Sequence, residues 1–125
     1  DYPPTVYALR RRIEAALGLT GHPPIEGHGR DGVVCSVTYD GGDVYAHTDP
    51  TVGPNRAGLR CNVLARAPDG GGTVWVSGVP YTVAAGDLMC YRVTERRHRV
   101  EPCRGGPRVM FMFGWCVPAP DTSGA

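Results

Sequence analysis

The sequence predicts an all-β domain, either a sandwich or a barrel, that follows a single N-terminal α-helix. From residue 33 onward, short apolar runs of strand length recur along the chain. Gly-rich turns such as DGGD and PDGGG separate these runs. Strands and turns at this spacing are typical of all-β folds. A chain of 125 residues with 42% hydrophobic residues can form one domain with a modest core.

The helix is predicted over residues 5–19, TVYALRRRIEAALGL. Val6, Leu9, Ile13 and Leu17 recur at helical spacing, prolines precede the segment and a glycine follows it. A loop rich in Gly and Pro comes next, at residues 21–30.

The strands are predicted from runs of β-branched, aromatic and other apolar residues between turns. In chain order they cover residues 33–39, 44–47, 59–67, 73–78, 80–87, 88–93 and 108–117. We therefore expect one domain over residues 1–117, with its β core at 33–117. The polar, Pro-containing segment 118–125 is expected to be a disordered tail.

The bulk properties narrow the possible partners. A net charge of +1 gives no electrostatic reason to expect nucleic acid or an anionic membrane. No apolar run approaches the roughly 20 residues that would span a bilayer. Five widely spaced cysteines without a CxxC pair favour reduced thiols in a cytoplasmic protein. We expect a small-molecule partner, and a monomer or a small homo-oligomer.

Three side chains could form a metal site of two histidines and one carboxylate. His47 and Asp49 stand two positions apart at the end of a predicted strand, and His98 lies far along the chain. Positions i and i+2 of a strand point the same way, or a turn just after the strand can bring them together. Such a set binds one face of an octahedral ferrous ion and leaves positions open for substrate and oxygen.

Arg108 follows His98 after a short turn, PCRGGP, and opens an apolar strand. A guanidinium group offers a planar fork that matches a carboxylate. An Arg on a strand that lines the core needs an anionic partner. We therefore expect this Arg to bind the carboxylate of a ligand.

These residues together resemble the signature of the iron(II)- and 2-oxoglutarate-dependent oxygenase superfamily. HTD followed by RHRVEPCRGGPR is similar to its HxD…H…R motif. YDGGDVYAHTD, NVLARAPDGGGTVW and AAGDLMCY are similar to segments of the prolyl-hydroxylase-like branch. The resemblance covers residues 33–117, most of the chain.

The resemblance implies a double-stranded β-helix, or cupin-like jelly-roll, that works as a hydroxylase. It implies that His47, Asp49 and His98 bind Fe(II) and are the catalytic centre. It implies that Arg108 binds the distal carboxylate of 2-oxoglutarate, which is converted with O2 to succinate and CO2, with ascorbate as a possible reductant. Related halogenases carry Gly or Ala in place of the carboxylate ligand, so Asp49 argues for hydroxylation, desaturation or cyclisation. The first choice of substrate is an amino acid or a natural-product intermediate.

Further contacts are predicted around this centre. Tyr39 or Tyr45, which flank the first ligand, could contact 2-oxoglutarate, and Tyr39 is preferred. Arg60 and Asn62 share one face of their strand, which suggests contacts with 2-oxoglutarate or substrate, and Asn62 is favoured for the cofactor. Arg60, Tyr45 and Trp115 are candidate substrate contacts. The loops 21–30 and 50–58 flank the site in sequence, where loops usually carry specificity.

Two other interpretations remain open from the residues. The chain could be a non-catalytic jelly-roll binding module, or the partner subunit of a larger oxygenase. It could also be a cupin-type metalloprotein that needs no 2-oxoglutarate, although cupins usually supply more histidines near the first ligand.

Overall fold

The computed structural model describes residues 1–25 and 29–120. Within these ranges the chain forms one α-helix, a 3-10 turn at Arg30–Gly32 and ten strands. They are α1 (Pro4–Leu17), β1 (Val33–Thr38), β2 (Val44–His47), β3 (Arg56–Arg66), β4 (Gly70–Gly71), β5 (Val74–Val76), β6 (Val79–Tyr81), β7 (Leu88–Arg92), β8 (His98–Val100), β9 (Cys103–Arg104) and β10 (Arg108–Pro118). The predicted all-β class with an N-terminal helix is confirmed. Part of the loop 21–30 and most of the predicted disordered tail, residues 26–28 and 121–125, lie outside the described residues.

The strands form two four-stranded antiparallel sheets and one short ribbon. The first sheet, called here the major sheet, has the order β1-β10-β3-β7, and the second, the minor sheet, has the order β2-β8-β5-β6. The ribbon pairs β4 with β9. The two facing sheets give the jelly-roll that the sequence resemblance implies. β8 was not predicted as a strand of its own, because its three residues lie in an Arg-rich segment.

The larger apolar core lies between α1 and the outer face of the major sheet, and a smaller cluster of Val74, Val76 and Val100 lies on the minor sheet. Tyr7 and Ile13 of the helix pack in one buried cluster with Phe113 and Trp115 of β10. Burying each large apolar side chain stabilises the fold by about 1.5–3 kcal/mol. The guanidinium of Arg10 lies 4.2 Å from the ring centre of Trp115 and donates a hydrogen bond of 3.1 Å to the carbonyl of Gly114. The helix is thus held to the sheet by both packing and polar contacts.

The opposite face of the major sheet is polar where it faces the minor sheet. Side chains alternate along a strand, so β3 and β10 present the other half of their residues inward. These inward residues include Arg60, Asn62 and Arg108, which are all buried. The space between the sheets therefore holds charged and amide groups, and this identifies it as the candidate functional site. Among the described residues, no helix combines the length and hydropathy needed to cross a bilayer.

Candidate metal centre

His47 and His98 face each other as partners on neighbouring strands of the minor sheet. The pairing of β2 with β8 runs from Val44 opposite Val100 to His47 opposite His98. β2 advances one residue more than β8 over this stretch, which marks a β-bulge. Because of the bulge, Val44 and His47 both point into the space between the sheets, although simple alternation would separate them.

Asp49 reaches the two histidines from beyond the end of β2. Its backbone N–H donates a hydrogen bond of 2.8 Å to the carbonyl of Val93, which fixes the turn after the strand. Of the two arrangements that the sequence allowed, the turn is therefore the one observed. Oδ1 of Asp49 lies 3.2 Å from Nε2 of His47 and 3.2 Å from Nε2 of His98.

The donor atoms fit a divalent metal ion. One ligand atom from each of the three residues lies within 4.8 Å of the other two. Nδ1 of His47 is 2.7 Å from the carbonyl of Tyr45, and Nδ1 of His98 is 2.8 Å from that of Arg96. A carbonyl oxygen only accepts, so each Nδ1 carries a proton and each Nε2 is the ring atom that faces Asp49. This is how metal-binding histidines are usually oriented. Two imidazoles and one carboxylate suit Fe(II).

The electrostatics keep the carboxylate ionised. Burial alone would raise the pKa of Asp49, but hydrogen bonds from His98 and Arg60 and their positive charge outweigh burial and lower it to about 2. The pKa of His98 is raised, because hydrogen bonds to Asp49 and to the Arg96 carbonyl outweigh the lowering by burial. Nε of Arg60 donates to Oδ2 of Asp49 over 3.2 Å. The carboxylate thus has one oxygen toward the histidines and the other on Arg60.

His47, Asp49 and His98 line a cavity of about 270 Å³ between the sheets, called here the interior cavity. The residues that concern its chemistry are His47, Asp49, Arg60, Asn62, His98 and Arg108. Arg108 is 2% exposed, and its hydrogen bond is to the sulfur of Met110 at 3.7 Å. In the part of the chain that the structure describes, no carboxylate forms an ion pair with it. Burial lowers the pKa of this guanidinium.

A buried cation without an anionic neighbour is costly, and a ligand carboxylate would remove that cost. Asn62 adds a second polar group, since its buried Oδ1 has no hydrogen-bond partner among the described residues. Turning the amide over would present its NH2 group to the cavity instead. The walls thus fit an anionic organic ligand next to a metal ion, as 2-oxoglutarate next to Fe(II) would be.

The structure brings together six of the nine residues that were predicted for the site, and it leaves three outside the interior cavity. Tyr39 is 70% exposed beyond the end of β1, so the preference for it as a cofactor contact is wrong in this geometry. Trp115 is 0% exposed in the core under α1, so it is not at a substrate mouth. Tyr45 is 78% exposed on the outer side of β2, with its ring 5.2 Å from that of His47. A contact between Tyr45 and substrate stays a prediction.

Tyr91 of β7 lines the interior cavity and was missed by the sequence reasoning. Its ring lies 5.2 Å from that of His98. Burial first, and the charge of Asp49 second, raise the pKa of Tyr91 to about 12, so the hydroxyl remains a donor at neutral pH. Alternation along LMCYRV places Met89, Tyr91 and Val93 on one face, and this pattern could have identified it.

A second cavity of about 460 Å³ adjoins the metal centre and is called here the loop cavity. It is lined from the loop 21–30 by Pro23, Pro24 and Ile25, and from the loop 50–58 by Pro50, Thr51 and Val52. Asp49 and Arg60 line both cavities. The two loops expected to flank the site therefore form a common wall beside it.

The two facing antiparallel sheets hold the His-Asp-His cluster and a buried Arg between them. Among solved structures, the chain is similar to a viral collagen prolyl hydroxylase from Paramecium Bursaria Chlorella virus-1 in complex with 2-oxoglutarate. The TM-score is 0.64 at 14% sequence identity, with 95% of this chain and 75% of that chain covered. At this identity the likeness establishes a common fold, and it confirms the fold that the sequence resemblance implied. No family model and no curated protein matches the chain.

Proposed function

We propose that the chain is an Fe(II)- and 2-oxoglutarate-dependent oxygenase that hydroxylates a small molecule. The proposal joins three things: the common fold, the metal-ligand set and the buried Arg of the same cavity. A binding module would have no evident need for all three together.

One observation carries the proposal. Oδ1 of Asp49 lies 3.2 Å from Nε2 of both histidines, and buried Arg108 lines the same cavity without a carboxylate partner among the described residues. The first feature suits a divalent metal ion, and the second suits an anion. In a cupin-type metalloprotein that does not bind 2-oxoglutarate, no ligand carboxylate would offset the desolvation cost of burying Arg108.

In this proposal His47, Asp49 and His98 would hold Fe(II), and Arg108 would bind the distal carboxylate of 2-oxoglutarate. Asn62 and Tyr91 would flank the cofactor. When bound, iron and 2-oxoglutarate supply the oxidising chemistry, in which O2 and 2-oxoglutarate give succinate, CO2 and a hydroxylated substrate. The walls of the cavity would orient the cofactor and exclude water from it.

The substrate would occupy the loop cavity. This cavity adjoins the centre at Asp49 and Arg60, and its volume of about 460 Å³ suits a molecule of amino-acid or larger size. Prolines, Ile25 and Val52 make much of its wall apolar. We therefore favour a compact substrate with an apolar part, such as an amino acid or a natural-product intermediate.

The test measures metal binding, cofactor binding and turnover separately. Anaerobic titrations would follow Fe(II) or Co(II) binding, and then 2-oxoglutarate binding to the loaded protein. Succinate formation would then be measured with O2, ascorbate and a panel of small amino acids. Asp49→Ala should lose metal binding and succinate formation, because it removes one of the three ligands. Asp43→Ala is the matched control, since Asp43 is an exposed carboxylate just before β2.

The outcomes separate the possible functions. Metal-dependent binding of 2-oxoglutarate that is lost in Asp49→Ala and kept in Asp43→Ala supports the oxygenase. Metal binding without any affinity for 2-oxoglutarate would instead favour the cupin-type metalloprotein. Absence of metal binding in the wild type would leave a non-catalytic jelly-roll module.

A further inference from the structure

The two oxygens of Asp49 contact different kinds of group. Oδ1 lies 3.2 Å from both imidazole Nε2 atoms, while Oδ2 accepts a hydrogen bond of 3.2 Å from Nε of Arg60. Arg60 is 5% exposed and projects from the middle of β3, in the major sheet, whereas Asp49 follows β2 of the minor sheet. A contact across the two sheets therefore sets the rotation of the carboxylate group.

We propose that Arg60 is a positioning residue that makes Asp49 a one-oxygen ligand and so keeps a coordination position open. The inference rests on the proposed function, because it concerns the metal that the triad would hold. A carboxylate that offers both oxygens takes one more position around an octahedral ion than a carboxylate that offers one. Under the proposed function that position would be needed, because 2-oxoglutarate and O2 would both have to reach the metal. By occupying Oδ2, Arg60 prevents the two-oxygen arrangement.

The placement of Arg60 supports a positioning function over a general packing function. Its side chain lies in the wall that the interior cavity and the loop cavity share, within reach of the carboxylate. The strand that carries it is paired on both sides, with β10 and with β7, so its position is rigid. When a group that hydrogen-bonds to a metal ligand is removed from a metal site, metal affinity typically falls by about 10- to 100-fold.

A purely electrostatic function of Arg60 would have the opposite effect on affinity. A fixed positive charge repels a metal cation, so if charge dominated, its removal would tighten metal binding. If orientation dominates, its removal frees Asp49 to rotate and binding weakens. The sign of the change in metal affinity therefore decides between the two.

The experiment compares Arg60→Met with Arg60→Lys in the full chain, with Co(II) as the probe. Met is apolar and of similar length, so it removes the donor and the charge, while Lys keeps a cationic donor. Arg66→Met is the matched control, because Arg66 is an exposed Arg on the same strand and bonds to the carbonyl of Gly106. Circular dichroism and thermal unfolding would establish that each variant folds. Arg60→Gln would replace the Met variant if that one does not fold.

We expect Arg60→Met to weaken Co(II) binding by about 10- to 100-fold and to change the ligand-field absorption spectrum of the bound ion. Arg60→Lys should recover most of the affinity, and Arg66→Met should match the wild type in both readouts. A merely structural Arg would change thermal stability without changing the spectrum of the bound Co(II). Unchanged or tighter Co(II) binding in Arg60→Met, or an unchanged spectrum, would overturn the inference. Failure of the wild type to bind Co(II), or wild-type binding by Asp49→Ala, would instead refute the proposed metal site itself.

Discussion

Replacement of Arg108 by Met should strongly weaken 2-oxoglutarate binding and, at the same time, stabilise the unliganded protein. Arg108 is 2% exposed, its hydrogen bond is to the Met110 sulfur, and none of the described carboxylates pairs with it. Within the described part of the protein, no ion pair therefore offsets the desolvation cost of burying this charge. A ligand carboxylate would offset it.

The size of both effects follows from this environment. Loss of one partner of a buried, hydrogen-bonded charge pair costs about 2–5 kcal/mol, which weakens 2-oxoglutarate binding roughly 30- to 4,000-fold. In the unliganded protein an apolar side chain of similar volume removes the desolvation cost. We expect the free energy of unfolding to rise by about 1 kcal/mol or more.

The assay is calorimetric titration of 2-oxoglutarate into the Co(II)-loaded protein without oxygen, together with urea unfolding of the metal-free protein. Arg104→Met serves as the control, since Arg104 is exposed on β9. Arg108→Lys should fall between the wild type and the Met variant, because it keeps the charge and loses the planar fork. Unchanged affinity for 2-oxoglutarate in Arg108→Met would refute this assignment. Strong destabilisation of the metal-free Met variant would refute the reasoning on buried charge.

Three further predictions test other parts of the site. Tyr91→Phe should weaken 2-oxoglutarate binding about fivefold to tenfold, as expected for the loss of one hydrogen bond. Tyr39→Phe is the control and should not change this affinity, because Tyr39 lies outside the interior cavity. Equal effects of the two variants in a binding titration would contradict the prediction. Phe113→Ala should cost about 3–5 kcal/mol in urea unfolding and leave Co(II) affinity unchanged, since Phe113 packs under the helix; a loss of affinity in the folded variant would argue against it. The raised pKa of His98 stabilises the metal-free protein below about pH 6.5, and this contribution is lost as the pH rises through the folded-state pKa. Metal needs the neutral ring, so the rise in melting temperature on adding Co(II) should be larger at pH 8 than at pH 6, and the reverse order would contradict the assignment.

The candidate metal ligands and Arg108 could be proposed from the sequence, because the order and chemistry of these residues do not depend on local details of the backbone. Which way a side chain faces depends on finer features. Simple alternation on β2 would put Tyr45 and His47 on the same face. The bulge between Val44 and His47 separates them, so Tyr45 points outward. A bulge of one residue has no reliable mark in a single sequence.

The prediction for Trp115 failed for a different reason, which the sequence itself could have revealed. Arg108 and Trp115 are an odd number of positions apart on one strand, so alternation places them on opposite faces. Arg108 faces the interior cavity and Trp115 faces α1. The same rule identified the inward face of Arg60 and Asn62 correctly. The same alternation along LMCYRV puts Tyr91 on the face that lines the interior cavity.

The major sheet carries buried polar groups on its inner face and apolar side chains on its outer face. This arrangement explains how the N-terminal helix contributes to stability. Between the two sheets, Arg60, Asn62 and Arg108 carry desolvation costs that oppose folding of the unliganded chain. A small apolar cluster of Val74, Val76 and Val100 lies beside them. The larger share of the compensating apolar burial lies on the other side of the major sheet, where α1 covers Phe113 and Trp115. The inner and outer faces belong to the same two central strands, β3 and β10. The helix therefore stabilises the strands that line the interior cavity, and packing on their outer face offsets part of the cost of burying polar groups on their inner face.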